Sequence, residues 1–115
     1  MEQVSINQRD LFLVPFPFSN LKGSKVRPVL ILSKNDFNLR SEDVLVCSLT
    51  SNTIEGRYKL NITNNDLENG ELYNKCAIKI ENIAKINKGL LLKNIGKIKE
   101  TTFSKVLNNL IKIFQ

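Results

Sequence analysis

The sequence contains no histidine and no tryptophan, and its five glycines and two cysteines are scattered along 115 residues. Without histidine, a catalytic triad, a histidine-activated cysteine and a two-histidine ribonuclease are all excluded, because each needs an imidazole. The glycines form no phosphate-binding loop, and the cysteines have neither a zinc-ligand spacing nor the pattern of a disulfide framework. We therefore expect no metal, no cofactor, and two free buried thiols at Cys47 and Cys76.

Long apolar runs are also absent. The longest, at residues 11–18 and 29–32, fall far short of the roughly 20 residues that cross a membrane, and residues 1–4 open neither a basic leader nor a signal core. The hydrophobic fraction is 42% and the charged fraction is 24%, as in ordinary globular proteins. The sequence predicts one domain over residues 1–115, located in the cytoplasm and without a membrane partner.

Positive charge is in excess, with a net charge of +6, and it is unevenly distributed. Residues 1–74 carry 8 Lys+Arg against 9 Asp+Glu, a net charge of −1, whereas residues 75–115 carry 9 against 2, a net charge of +7. A basic half favours a polyanion or an acidic protein as partner. A generally lysine-rich composition explains the same charge, so charge alone leaves nucleic-acid binding open.

Residues 11–18 alternate as the residues of a strand do. One face carries Phe12, Val14, Phe16 and Phe18. Pro15 and Pro17 share the other face, and each removes a backbone donor on the same side of the strand. We therefore expect the far end of this strand to leave one edge unpaired.

The remaining chain predicts a mainly β fold with helices, of the α+β class. Further strands are predicted at residues 29–32, 44–50, 57–62, 77–86 and 90–92. A turn-rich segment covers residues 64–70. A helical stripe near the C-terminus comprises Phe103, Val106, Leu107, Leu110, Ile111 and Phe114. With Thr101 or Thr102 as its cap, this helix would close a small barrel of about five strands.

The polar residues that could do chemistry gather around two strand ends. Pro28 pushes Arg27 into extended backbone at the start of one strand, and Thr50 closes another. An arginine beside a hydroxyl can bind phosphate, because its forked donors match two phosphate oxygens. The alternative is that both are ordinary surface residues. Other polar candidates nearby are Lys22, Lys25, Ser48, Ser51 and Asn52.

Three segments, residues 10–19, 25–33 and 49–51, resemble in order and spacing the opening signatures of the MazF/PemK family. The similarity continues through residues 80–83 and 94–98 and covers nearly the whole chain. It implies an SH3-like β-barrel with a C-terminal α-helix. It also implies the homodimeric toxin of a type II toxin–antitoxin system, which cuts single-stranded RNA, including mRNA, at short sequences without a metal.

The resemblance also implies roles for individual residues. Arg27 matches the catalytic arginine of the family, and Thr50 matches its catalytic hydroxyl residue. Asn82 matches a position that contacts bases, and the stretch after Thr50 contacts RNA. Together with the basic loop, the expected RNA-binding residues are Phe18, Lys22, Lys25, Ser51, Asn52 and Asn82.

Two positions depart from the family pattern. The glycine that often precedes the first aspartate is Arg9 in this chain, a change that we expect to be structural. The acid that some members carry in the loop before the arginine is replaced by Lys22. The second change argues against a mechanism that needs a loop carboxylate.

The expected reaction is attack of the ribose 2′-hydroxyl on its neighbouring phosphate, which leaves a 2′,3′-cyclic phosphate and a 5′-hydroxyl. The expected protein partner is an antitoxin with an acidic extended segment, and DNA would be contacted only through an antitoxin–operator complex. One alternative is a CcdB-like gyrase poison, although that activity is associated with a C-terminal tryptophan that this chain lacks. Another is a non-catalytic RNA-binding barrel in which Phe16 or Phe18 stacks on bases.

Overall fold

The computed structural model of the protein describes residues 5–16, 25–54 and 56–115. Within these ranges the elements are β1 (Asp10–Phe16), β2 (Lys25–Ile31), α1 (Asn35–Arg40), β3 (Asp43–Thr50), β4 (Lys59–Ile62), β5 (Leu67–Gly70), β6 (Cys76–Asn87), β7 (Lys93–Ile98) and α2 (Glu100–Phe114). Neither helix of this described part is long and apolar enough to cross a membrane.

The strands form one curled sheet in the order β4-β6-β3-β2-β1-β7-β5. Every recorded pairing between neighbours is antiparallel. The predicted mainly β fold with a C-terminal helix is confirmed, as a half-barrel of seven described strands rather than about five. The two additional strands, β5 and β7, pair with each other at one end of the sheet.

Apolar side chains cover both faces of the central strands. On one face, Leu11, Leu30 and Leu49 pack in a cluster with Phe103 and Val106 of α2. On the opposite face, a second cluster comprises Phe12, Val14, Val29, Ile31, Val44, Val46 and Ile86. Burial on both faces explains why residues 29–31 read as a continuous apolar run, as expected for a central strand.

Helix α2 confirms the predicted C-terminal helix, but its predicted cap is wrong. The N-cap position is Lys99, and no side chain caps the helix. Thr102 is buried, and its hydroxyl lies 3.4 Å from the backbone oxygen of Asp66. This threonine is therefore used for packing against the 3-10 turn Asn64–Asp66 rather than for capping.

The strand predicted at residues 90–92 is also wrong. The chain forms a 3-10 turn at Lys88–Leu90, in which the Asn87 side chain accepts a hydrogen bond from the Gly89 amide at 2.8 Å. A side-chain bond of this kind offers the backbone an alternative to a strand. The strand that follows, β7, begins at Lys93 instead.

Among the residues that the structure describes, the far end of β1 has no strand partner on the β7 side, as predicted. Strand β2 pairs with β1 as far as Phe16, but the pairing with β7 ends at Leu13. The Leu13 carbonyl accepts a hydrogen bond from the Leu92 amide at 2.8 Å, so the polar backbone groups of Leu13 point toward β7. Residues two positions apart in a strand direct these groups to the same side, so the backbone nitrogen of residue 15 points toward β7 as well. The missing N–H of Pro15 therefore lies on the open edge. Pro17 and Phe18 lie outside the described residues.

Arg9, which stands where the family often has glycine, has a φ of 79°. This left-handed conformation suits glycine and costs other residues about 1 to 3 kcal/mol. The guanidinium offsets that cost with an ion pair to Glu68 at 3.1 Å and a hydrogen bond to the Ile98 carbonyl at 2.9 Å. The change is structural, as expected, because these contacts join β5 and the end of β7 to the segment before β1.

Cys47 and Cys76 are free and buried, as predicted. Burial raises the pKa of Cys47 to about 12, with a smaller contribution from the Glu81 carboxylate, and raises the pKa of Cys76 to about 11. Both thiols therefore stay protonated at neutral pH and are poor nucleophiles.

Candidate active site

The sheet face opposite α2 changes from apolar to polar along its central strands. Alternate residues share a face, so Val29 and Arg27 of β2 lie on the same side as Ser48 and Thr50 of β3. Phe16 continues the same face of β1, two residues beyond Val14. The polar ends of three neighbouring strands therefore meet at one edge of the second core cluster.

A cavity of about 130 Å³ opens at this polar end. Its lining residues are Phe16, Arg27, Val29, Ser48, Leu49, Thr50, Lys79 and Asn82. The volume equals that of about four water molecules. It is therefore large enough for one phosphate group with part of its hydration.

Arg27 enters the cavity from β2, where it pairs with Val14 across the sheet. Its guanidinium carbon lies 5.7 Å from the centroid of the Phe16 ring. A cation over an aromatic face is attracted by the ring's quadrupole, which restrains the long arginine side chain. Within the described ranges Arg27 makes no ion pair, so its charge is available to a ligand.

Thr50 lies at the end of β3, and its hydroxyl accepts a hydrogen bond from the Asn52 amide at 3.1 Å. The Asn52 side chain in turn accepts a bond from the Ile54 amide at 3.1 Å. These two side-chain turns follow the end of β3, and the side-chain amide of Asn61 on β4 donates to the Thr53 carbonyl at 3.4 Å. Because the Thr50 oxygen acts as an acceptor there, its own proton can still be donated into the cavity.

A bend in β6 brings the last two lining side chains to the cavity. Cys47 of β3 pairs with Ile83 of β6, and Leu49 pairs with Ile78. Between these two pairs, β3 has one residue, Ser48, whereas β6 has four, residues 79–82. Extra residues on one strand bend it and redirect its side chains. Asn82 then reaches across and donates from Nδ2 to the Ser48 hydroxyl at 2.6 Å.

The family model for PemK-like, MazF-like toxins of type II toxin–antitoxin systems matches residues 7–114. The chain belongs to this toxin family. The resemblance seen in the sequence is therefore confirmed. No curated protein sequence shows significant similarity to the chain.

Several solved structures share the MazF-like fold of this chain. An endoribonuclease from mycobacterial species superposes with a TM-score of 0.77 at 17% identity, over 99% of this chain and 95% of that one. A mycobacterial endoribonuclease in complex with its cognate antitoxin gives 0.76 at 18% identity, over 95% and 94%. A MazE–MazF structure from Deinococcus radiodurans gives 0.79 at 12% identity, over 96% and 97%. At these identities the likeness establishes the fold.

The structure of this MazF-like toxin brings together three of the residues singled out in the sequence: Arg27, Thr50 and Asn82 line one cavity. Ser51 and Asn52 are exposed immediately beyond it, and Lys25 is exposed at the start of β2. Phe18 and Lys22 lie outside the described residues.

Sequence reasoning missed Lys79, which lines the cavity from β6. Nothing in the sequence distinguishes Lys79 from the other lysines of residues 75–115, because its placement depends on the bend in β6. The bond between Ser48 and Asn82 was also missed, since it joins residues 34 positions apart.

The charge in the cavity favours an anion. Two cations, Arg27 and Lys79, line it together with two hydroxyl groups and one amide, and none of the lining residues that the structure describes is a carboxylate. No group of three or more His, Cys, Asp or Glu side chains among residues 5–16, 25–54 and 56–115 is arranged to hold a metal ion. Forked and hydroxyl donors of this kind suit the oxygens of a phosphate.

Proposed function

We propose that this toxin is a sequence-specific endoribonuclease of the cytoplasm that cleaves single-stranded RNA without a metal ion. The observation that carries the proposal is the convergence of Arg27 and Thr50 in one cavity whose described lining includes a second cation, Lys79, and no carboxylate. The family assignment and the endoribonucleases among proteins of the same fold support it.

In the proposed reaction the ribose 2′-oxygen attacks the adjacent phosphorus and displaces the 5′-oxygen of the next nucleotide. Negative charge builds up on the non-bridging oxygens as the phosphorus becomes five-coordinate. The Arg27 guanidinium and the Thr50 hydroxyl stabilise that charge by hydrogen bonding, from strands that hold them in place before the substrate arrives. RNA that lacks the 2′-hydroxyl should therefore bind without being cut.

The remaining RNA contacts would select the sequence. Because Asn82 uses Nδ2 to bind Ser48, its Oδ1 is held in a defined direction and can accept a hydrogen bond from a base. Ser51 and Asn52 lie just outside the cavity, where neighbouring nucleotides would run. Lys25, and by the resemblance Phe18 and Lys22, complete the proposed contacts, the lysines through phosphates.

The proposed chemistry predicts the ends of the RNA fragments. Purified protein should cleave single-stranded RNA in EDTA, leaving a 2′,3′-cyclic phosphate on one fragment and a 5′-hydroxyl on the other, as mass spectrometry would show. A 5′-phosphate product or a strict need for magnesium would contradict the proposal. RNA that is bound but uncut would favour the non-catalytic barrel, and gyrase inhibition without RNA cleavage would favour the gyrase poison.

We further propose that the active toxin is a homodimer that an antitoxin neutralises through an acidic extended segment. The described domain measures 40 × 32 × 27 Å, and two-fold pairing is the commonest way to extend a binding surface. Sedimentation at micromolar concentration should give about twice the 13.1 kDa chain mass, and a larger complex with the antitoxin. A strict monomer that still cleaves RNA would overturn the dimer, and growth arrest that a co-expressed antitoxin fails to relieve would overturn the pairing.

A further inference from the structure

Lys79 and Arg27 reach the cavity from opposite sides. Strand β3 lies between β2, which carries Arg27, and β6, which carries Lys79. Adjacent strands lie about 4.8 Å apart, so the two backbones are separated by roughly 10 Å. Both side chains are long, and a phosphate placed over the β3 hydroxyls would lie between them.

The local surroundings leave the Lys79 ammonium available to a ligand. Its cross-strand neighbour on β4 is Lys59, whose Nζ lies 3.5 Å from the Asn52 carbonyl and 3.4 Å from the Ile54 carbonyl. Glu81, two residues further along β6, is exposed and does not line the cavity. Among the described residues, Lys79 itself makes no ion pair.

The proposed cleavage needs a proton donor for the leaving 5′-oxygen, and Arg27 and Thr50 are both poor proton donors. The departing 5′-oxygen leaves as an alkoxide unless it receives a proton as its bond to phosphorus breaks. A guanidinium holds its protons too strongly to give one up, and a threonine hydroxyl is a weak acid. An ammonium group gives up a proton far more readily than either of them. Of the described groups that line the cavity, Lys79 is the best proton donor.

We propose that Lys79 is a catalytic residue that protonates the leaving 5′-oxygen, an inference that rests on the proposed endoribonuclease function. The 2′-hydroxyl passes its proton to a solvent water, and the bond from the 2′-oxygen to phosphorus forms. The bond from phosphorus to the 5′-oxygen breaks, and that oxygen takes a proton from Nζ. Nζ then regains a proton from solvent, which returns the site to its starting state.

The experiment compares two leaving groups in an RNA that contains a cleavage site mapped with the wild-type protein. One substrate has the natural 5′-oxygen at that site, and the other has sulfur in its place. Sulfur leaves as a thiolate and needs no proton, because thiols are far stronger acids than alcohols. Lys79→Met keeps the length of the side chain and removes its protons and charge.

We expect Lys79→Met to lower kcat on the oxygen substrate by about 100-fold or more, the usual contribution of a general acid. On the sulfur substrate, the variant and the wild type should react at similar rates. Lys79→Arg keeps the charge but holds its proton tightly. It should therefore bind RNA with a nearly unchanged KM and show a lowered kcat on the oxygen substrate only.

The matched control is Lys85→Met, on the same strand at an exposed position that pairs with Asp43 at 3.9 Å, outside the cavity. It removes the same charge and should cleave both substrates like the wild type. Circular dichroism melting shows whether the variants fold. Equal losses on both substrates in Lys79→Met, or no loss on either, would overturn the proposal for Lys79. A wild-type protein that does not cleave RNA would instead overturn the proposed function itself.

Discussion

Replacing Arg27 with alanine is expected to lower RNA cleavage by about 100- to 1000-fold or to below detection, because loss of one charge-stabilising donor has an effect of this size. Arg27 supplies a fork of several donors, and it is the one guanidinium among the described lining residues. Its half-buried side chain lines the cavity and belongs to neither core cluster. The variant should therefore remain folded. The measurement is the single-turnover cleavage rate on a defined RNA.

Arg57 provides the matched control for that experiment. Like Arg27, it places its guanidinium over an aromatic ring, 5.5 Å from the centroid of Tyr58, but it lies outside the cavity. Arg57→Ala removes an equal charge and an equivalent ring contact and should keep most of the activity. Thr50→Ala leaves the guanidinium in place and should cause a severe but smaller loss than Arg27→Ala. Full activity in Arg27→Ala would remove the basis of the proposed mechanism.

Replacing Gly70 with alanine is expected to lower the free energy of unfolding by about 3 kcal/mol or more, through backbone strain and steric overlap. Gly70 has a φ of 88°, and a Cβ at this position would overlap the Ile95 carbonyl oxygen and the Gly96 Cα of β7. Those atoms belong to backbone, which cannot move aside as a side chain can. For a domain of this size the melting temperature should fall by roughly 10 °C or more.

Gly56→Ala is the corresponding control for Gly70→Ala. The nearest atoms to a Cβ on Gly56 would belong to the flexible side chain of Lys59, with its Cδ at 3.1 Å. The change in stability should stay within about 0.5 kcal/mol, as for most surface substitutions. If thermal denaturation showed the same melting temperature for both variants, the close approach of β5 and β7 would not limit stability.

The elements that sequence patterns predicted correctly carry their signal locally. Helix α2 has an apolar stripe with helical period, and β2 and β3 are apolar or alternating runs bounded by turn residues. In contrast, β5 reads Leu-Glu-Asn-Gly and contains only one apolar side chain. It becomes a strand because it pairs with β7, which lies more than 25 residues later in the chain; Gly70, for example, pairs with Gly96. No local pattern records such a pairing.

In the candidate site, too, some residues were predictable from the sequence and others were not. Arg27 and Thr50 could be named in advance because Pro28 and a strand end restrict their backbones and because the surrounding residues resemble the MazF/PemK signatures. Their convergence follows from the register of β2 and β3, in which Val29 pairs with Ser48. The place of Lys79 depends on the unequal number of residues between paired positions of β3 and β6. That inequality belongs to the folded sheet, so the sequence alone does not reveal it.

Pro15 also affects how the toxin behaves at high concentration. An unpaired strand edge invites a strand from another molecule, because its free amides can start an intermolecular sheet that grows into an aggregate. Among the described residues, β7 does not pair with β1 beyond Leu13, and this part of the β1 edge lies beside the candidate site. Since Pro15 has no amide to offer on that side, this part of the edge gives an incoming strand no hydrogen-bond donor with which to start such a sheet.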